Sequence, residues 1–466
     1  MSFAFRRLGS HTINAMVERY AIDASLYLRS IEPSIRYRIA SGAAWSIVGA
    51  GLASGLTMMS NIVCGRLLGS AEFGQLGVVM ATTNLFTSLF ASGLSMTATR
   101  YVAGYRDSDP NRAGRVIGLS TVTSLMVGSA VGLLICLMAP WMSRNVLNAV
   151  GLSTPLMLGA AAMFFAAVNG SQTGALSGFE AFDRIALGNL IRGGSIALLV
   201  TIGAATCGLA GALAGYIGAG AVVALFYQLV VRRESRKRSI LISYRFSRDD
   251  LAILWRFTFP ILLSTFMFAP AAWWSNVLLA RDRGYAEAGI FSAISSWQMF
   301  ILFFSNAISN IGLPMLSNVR EEKNSTKYRR CLSINFLLIL APAIVVAVPV
   351  VIFSRSILHL YGPSFDHGTN ALRLIALAAV LSAITIPVGH VLWSLDAMIS
   401  ATLFALMNGA ILLIAAYALS GKGASGLAGA YVIMGLIQAA ASLPFTFWLL
   451  RKRLAPVPST SEVVLA

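Results

Sequence analysis

About twelve apolar stretches run along this chain, each long enough to cross a hydrocarbon core of roughly 30 Å, which takes about 20 helical residues. They cover 41–64, 75–99, 116–139, 155–177, 185–206, 208–231, 252–280, 287–314, 331–353, 371–394, 398–420 and 424–449. With 57% hydrophobic and 11% charged residues and a mean hydropathy of +0.75, too few charged side chains remain to coat a water-soluble globule, where about a quarter is usual. The solvent for this fold is therefore lipid. The four cysteines, Cys64, Cys136, Cys207 and Cys331, lie in or beside apolar runs without paired or metal-ligand spacing, and read as small buried hydrophobes. Arg and Glu interrupt the first 40 residues throughout, so no signal peptide is expected there. The segment AMVERYAIDASLYL suits either a helix lying on the membrane surface or a disordered tail.

Lys and Arg fix an expected orientation. If the N-terminus is cytoplasmic, 26 of the 35 fall in inside segments, 6 in outside loops and 3 within the spans. So asymmetric a split predicts both ends inside. It also accounts for the net charge of +17 without nucleic acid: RRESRKR at 232–238 reads as a cytoplasmic anchor beside anionic membrane lipids.

The chain repeats itself. SNIVCGRLLGSAEFG at 60–74 returns as SNVLLARDRGYAEAG at 275–289, with Ser60/Ser275, Asn61/Asn276, Arg66/Arg281, Gly69/Gly284, Ala71/Ala286, Glu72/Glu287 and Gly74/Gly289 identical at an offset of 215. That offset passes six spans, an even number, so both copies cross in the same direction and the repeats are parallel. GLAGA at 208–212 and 426–430, offset 218, and Asn189 with Asn408, offset 219, extend the echo with small indels. The expectation is an all-α polytopic membrane protein of about twelve helices. Its six-helix bundles would be 41–231 and 252–450, with a cavity between them, a basic linker at 232–251, and cytoplasmic segments at 1–40 and 451–466. Locally the phrase reads as a hairpin made twice. Arg66 and Arg281 suit a helix C-terminus, Gly69 and Gly284 a left-handed cap, and Glu72 and Glu287 the first turn of the next helix. A second reading has Arg66 and Arg281 meet an anionic substrate at the outer mouth.

RLLGSAEFGQLGVV after a first helix opening GAAWSIVGAGLASG, LWRFTFPILLS at the start of the second half, and GFEAFDRIALGNL joining helices four and five resemble the polysaccharide transporter family. These are the O-antigen and exopolysaccharide flippases, of one superfamily with multidrug and toxin extrusion antiporters and lipid II flippases. The resemblance covers about residues 41–450. It implies movement of an undecaprenyl-diphosphate-linked oligosaccharide across a bacterial inner membrane by alternating access, with no cofactor. It also implies membrane lipids and the polysaccharide polymerase and chain-length machinery as partners.

Other readings are weaker. GYRDSDPNRAGR only faintly echoes the major-facilitator G-x-x-x-D-R-x-G-R loop, since two residues separate Asp109 from Arg112. A cation-coupled drug antiporter needs a carboxylate deep in the first bundle, and no Asp or Glu falls near the middle of a span. A membrane enzyme wants sizeable outer loops with paired catalytic groups; here the loops are short and His359, His367 and Asp366 form a plain loop cluster. No P-loop motif is present.

For a diphosphate-linked glycan, Arg192 is the sharpest candidate, because an unpaired cation about eight residues into helix five is costly unless it faces a cavity or a partner. Gly188, Asn189, Arg192 and Ser195 share its face. At the offset of the asparagines, apolar Ala410 and Ile411 stand opposite Arg192, so the charge is not part of the shared scaffold. Ala186, Gly188, Gly193 and Gly194 are expected to leave room for a ligand. Helix eight carries a second polar stripe, Ser292, Ser295, Ser296, Asn306 and Asn310, suited to sugars or to gluing helices together. Asn169, Gln172 and Gln298 share that ambiguity, and Trp273 and Trp274 suit either sugar stacking or interfacial anchoring. Arg66, Arg100 and Arg281 are the remaining candidate cations.

Overall fold

The computed structural model describes residues 33–253, 258, 268–321, 325–395 and 397–453. Eight helical runs among them are long and apolar enough to cross a membrane. Three of these, Gly49–Tyr105, Phe182–Lys237 and Met398–Lys452, are 57, 56 and 55 residues long. At 1.5 Å per residue each is more than twice the hydrocarbon thickness. Each folds back at a glycine with positive φ: Gly69, Gly208 and Gly423. Each therefore crosses twice, and Ala269–Arg283 is the described part of one more crossing.

The helices are α1 (33–68) and α2 (70–105), α3 (Pro110–Trp141), α4 (Ser153–Gly178), α5 (Phe182–Ser195, continuing through a π turn at Ile196–Val200 to 206) and α6 (209–237). The second half repeats them as α7 (Ala269–Arg283), α8 (Tyr285–Glu321), α9 (Ser325–Ile352), α10 (Thr369–Ser394), α11 (Met398–Leu419) and α12 (Gly423–Arg453). Most run several residues past the apolar stretches that announce them. Hydropathy sees only the part in hydrocarbon, while the helix continues into the headgroup region. RRESRK is thus the last turns of α6 rather than free linker. The segment AMVERYAIDASLYL lies outside the described residues.

The repeated phrase builds the joint between the bundles. Where α2 crosses α8, a Cβ on Gly74 would overlap the Tyr285 carbonyl, and a Cβ on Gly289 would overlap the Ser70 carbonyl. Tyr285 is Ser70 moved by 215, and Gly289 is Gly74 moved by 215. The contact is therefore its own mirror under exchange of the halves, as two parallel bundles related by a two-fold rotation require. In lipid, where apolar surface drives no association, such close backbone approach is how helices bind. Gly69 (φ 71, ψ 172) and Gly284 (φ 90, ψ 168) do not take the left-handed helical cap expected of them. Their extended, positive-φ backbone is open essentially to glycine alone. Glu72 and Glu287 then reach the second repeated turn. The Glu287 Oε2 accepts from the Ala424 N–H at 2.7 Å, and the Glu72 Oε2 lies beside Gly208.

The core divides along the membrane axis. At the end carrying the α1–α2 and α7–α8 turns, one cluster runs through both halves, from Phe73, Leu76 and Val79 to Phe291, Ile294 and Tyr361. At the end carrying the termini, the halves have separate clusters, one around Phe179 and Tyr227 and one around Tyr328 and Val391. The shared core sits at the turn end; at the other end Ile253 packs into the first of these clusters and Thr97 Oγ1 lies 2.8 Å from Thr258 Oγ1, so the described halves touch there without sharing a core.

The connecting chain is strapped to α3. Gly114 and Gly118 press against the carbonyls of Leu241 and Ser243, and Ser243 N–H donates to the Gly114 carbonyl at 3.3 Å. Ser247 and Asp250 form a reciprocal cap, Ser247 N–H to Asp250 Oδ2 at 3.0 Å and Asp250 N–H to Ser247 Oγ at 3.2 Å, and Arg115 Nε donates to the same Oδ2 at 3.0 Å. Burial pushes the Asp250 carboxyl up, but the Ser247 donors and the Arg115 guanidinium outweigh it and hold it below the ordinary carboxylate range. A depressed carboxyl stabilises the fold above its unfolded pKa, near 4, and that contribution is lost as pH falls through the lower folded value. Limited proteolysis is expected to cut 238–250 slowly at neutral pH and faster on acidification. Asp250→Asn should cleave fast at every pH, and equal rates in both proteins would remove the strap.

Candidate functional site

Between the bundles lies a cavity of about 1000 Å³. Its N-terminal wall comes from α1, α2, α4, α5 and α6, and its C-terminal wall from α7, α8 and α12. It begins beneath the shared core, at Phe73 and Phe291, and reaches Ser95 and Ile185, toward the opposite end of the bundles.

Arg192 is the only charged side chain among the described residues that line it. It is exposed to the cavity, and no ion pair or hydrogen bond ties it to another described residue. Asn189, one turn earlier on α5, stands beside it on the same wall. The small residues around them serve packing, contrary to the room expected for a ligand. The ring of Tyr227 fills the space at Gly188, Gly193 abuts the Ala53 backbone and Ala186 meets Gly49; only Gly194 faces open space.

The π turn after Ser195 corrects the register of the repeat. Ala181 and Ala397, which precede α5 and α11 with nearly the same dihedrals (φ −84, ψ 53 and φ −93, ψ 48), are 216 apart, while the turn glycines Gly208 and Gly423 are 215 apart. The first copy thus holds one extra residue, which a π turn absorbs in a helix. Arg192 then corresponds to Asn408, a polar residue, and not to Ala410 or Ile411. The GLAGA echo at offset 218 is likewise not the structural register, since Gly211 and Gly426, 215 apart, each press on a carbonyl of the preceding helix.

On the facing wall α8 contributes Ser292, Ser295, Ser296 and Gln298. Asn306 is exposed but off the cavity, and the side chain of Asn310 lies outside the described residues. Asn61 Nδ2 donates to Ser296 Oγ at 3.2 Å across the joint between bundles, and Tyr216 OH donates to Asn61 Oδ1 at 3.5 Å. Trp273 Nε1 makes a second crossing, donating to Thr82 Oγ1 at 2.9 Å. Its ring lines the cavity, whereas Trp274 is exposed elsewhere. Asn169 and Gln172 donate to the Gly220 and Ala224 carbonyls of α6, so both fasten helices. Asn169 also lines the cavity, with its buried Oδ1 left without a partner in the described structure.

Ser195, Arg66, Arg100 and Arg281 do not line the cavity. Arg66 and Arg281 are exposed at the ends of α1 and α7, and Arg100 lies over the Tyr101 ring at 5.8 Å. Asn61, Asn84, Asn276, Thr83, Thr87 and Ser88 line it and were not singled out from the sequence. Two signals pointed to them. Asn61 and Asn276 are a repeat pair, and the polar residues of ATTNLFTS recur at helical spacing inside an apolar span. No metal-binding cluster of His, Cys, Asp or Glu occurs among the described residues.

The cavity wall is mainly apolar, with hydroxyls and amides set into it and, among the described residues, one fixed cation. Hydroxyls and amides exchange hydrogen bonds with sugars, an indole presents a face for stacking, and a guanidinium pairs two oxygens of a phosphate.

Comparisons with known proteins agree with this architecture. The family described as "Polysaccharide biosynthesis protein" matches residues 39–320. No curated protein matches the chain in sequence. An inward-facing multidrug resistance MATE family transporter of the MOP superfamily superposes with a TM-score of 0.74 at 17% identity, over 85% of this chain and 95% of that one. An outward-facing one gives 0.66 at 16%, over 89% and 97%. A MOP superfamily transporter from Pyrococcus furiosus, whose reversed pocket polarity suggests a different function, gives 0.63 at 18%, over 89% and 95%. At these identities the likeness is one of fold.

Proposed function

We propose that this chain, which belongs to the polysaccharide biosynthesis protein family, is a flippase. Its substrate is an undecaprenyl-diphosphate-linked oligosaccharide destined for surface polysaccharide such as O-antigen or exopolysaccharide. The observation that carries the reading is the cavity: large, with hydroxyls and amides set among apolar side chains, and charged among its described residues only by Arg192. A glycan needs many weak polar contacts, and a diphosphate needs a cation that never loses its charge. Arg192 and Asn189 hold the diphosphate, while Ser292, Ser295, Ser296 and Trp273 contact the sugars. The prenyl chain stays in lipid. Exporting cationic drugs calls instead for a carboxylate, and none lines the described cavity.

The membrane is the bacterial inner membrane with both termini cytoplasmic, as the charge split suggests. The cavity, which extends from the shared core toward the termini, then lies on the side where lipid-linked glycans are assembled. Crossing Asn61–Ser296 and Trp273–Thr82 bonds and the Gly74–Gly289 contact hold the far end shut. Rocking the bundles about that joint exposes the cavity alternately to the two sides. Cys207, expected to be buried, is exposed at the turn opposite the termini. In a Cys207→Ser background, a cysteine at Ser239, exposed in the connecting chain, is therefore expected to label in permeabilised cells only, and labelling of intact cells would reverse the orientation.

The deciding experiment is deletion of the gene in its host. Surface polysaccharide is expected to disappear while its lipid-linked precursor accumulates in the inner leaflet, and the full chain should restore export. Normal polysaccharide in the deletion strain, with altered drug sensitivity, would favour the antiporter reading.

A further inference from the structure

A second cavity, of about 440 Å³, opens on the C-terminal bundle at the end opposite the termini. Arg373 of α10 and Lys422, in the turn between α11 and α12, both line it, with Asn370 and Ser425 beside them and Leu374 and Leu419 completing the wall. Two cations in one groove repel unless an anion lies between them. No described carboxylate forms an ion pair with either: Glu287, which reaches the same turn, is committed to the Ala424 N–H. Arg373 is held in place from behind, its Nε donating to Ser354 Oγ at 3.1 Å, which leaves the two terminal nitrogens of the fork for a ligand.

The groove continues as an apolar track. Leu377, one turn along α10 from Arg373, is 48% exposed, and Ile433 and Leu436, on the face of α12 that carries Gly429, are 38% and 52% exposed. Gly429 of α12 lines the groove beside Leu419 with no side chain to fill it. A paired cationic rim above exposed apolar side chains fits an amphiphile, not a free ion.

We propose that this groove binds the phosphate headgroup of an anionic phospholipid, with its acyl chain along Leu377 and Ile433. The site is separate from the central cavity, and its occupancy does not depend on the transport substrate. Arg373 supplies a bidentate phosphate contact and Lys422 a point charge.

Native mass spectrometry of the full-length protein, exchanged into detergent with phosphatidylglycerol or phosphatidylcholine, tests it. The wild type is expected to retain phosphatidylglycerol and not phosphatidylcholine. The Arg373→Gln/Lys422→Gln double variant should lose phosphatidylglycerol on the order of tenfold more readily, as two juxtamembrane cations imply. Gly429→Leu, which fills the groove and leaves both cations, should lose it as well, and decides the matter if the double variant does not fold. Equal retention by the wild type and the folded variants would overturn the site. Displacement of the lipid by millimolar inorganic phosphate would show a free-anion site and overturn the lipid assignment.

Discussion

Replacing Arg192 by alanine is expected to abolish polysaccharide export at normal protein levels. Arg192 is the one charged group on the described cavity wall, and it spends none of its donors on described protein partners. Its loss therefore leaves no described protein partner unpaired, and on the proposed function it removes contacts to substrate alone. Each charge-assisted hydrogen bond contributes about 1.5–3 kcal/mol, so losing even one slows export by roughly tenfold to a hundredfold. Arg192→Lys should rescue in part, because an ammonium keeps the charge and loses the planar fork. Export measured as surface polysaccharide, against protein quantified in the membrane, checks this. Wild-type export by Arg192→Gln or Arg192→Met would make the residue idle and leave the diphosphate site unassigned.

A leucine at Gly74, or at Gly289, is expected to force the bundles apart at the closed end. Even one methyl group at either position would overlap the carbonyl of Tyr285 or Ser70, and backbone cannot step aside as a flexible side chain would. Overpacking of this kind costs about 1–3 kcal/mol when the site can relax, and here relaxation means separating α2 from α8. Spin labels at Leu67 and Asp282, both exposed and 215 apart, report the separation. The wild type should give one short distance, and either variant a longer one together with loss of export. Because both glycines serve one two-fold contact, the double variant should add little to either single one. An unchanged distance would mean that the bundles are joined elsewhere, with the Asn61–Ser296 and Trp273–Thr82 bonds the next to remove.

The closed end shows how a repeat constrains a fold more tightly than a pattern does. The phrase at 60–74 and 275–289 marks parallel halves, and its glycines and glutamates became the turns, the caps and the joint itself. Arg66 and Arg281 of that phrase are the candidate cations its sequence offers, while Asn61 and Asn276 stand in it only as a repeat pair. In the structure the asparagines face the cavity and the arginines stand at the helix ends. Five residues, or about 500° of helix rotation, separate Asn61 from Arg66, and only the packing of the neighbouring helices decides which direction is inward.

A similar limit applies on α5. Arg192 was legible because a cation within an apolar span has few tolerable surroundings. Its counterpart Asn408 was not, because a π turn is invisible in composition and shifts the register by one residue. The glycines around Arg192 show the same limit: small residues in a lipid solvent mark either a ligand's place or a helix's, and Tyr227 and Ala53 occupy theirs.

The sequence by itself determined the solvent, the number of crossings, the parallel repeat and the presence of one deep cation. All of these follow from local composition and from comparing the chain with itself. The tertiary structure alone decided which polar residues face the cavity, which end is closed and where the two halves fall out of register. In water an apolar stripe distinguishes inside from outside; in lipid both faces of a helix are apolar, so the inward face is set by contacts between helices that lie far apart in the chain.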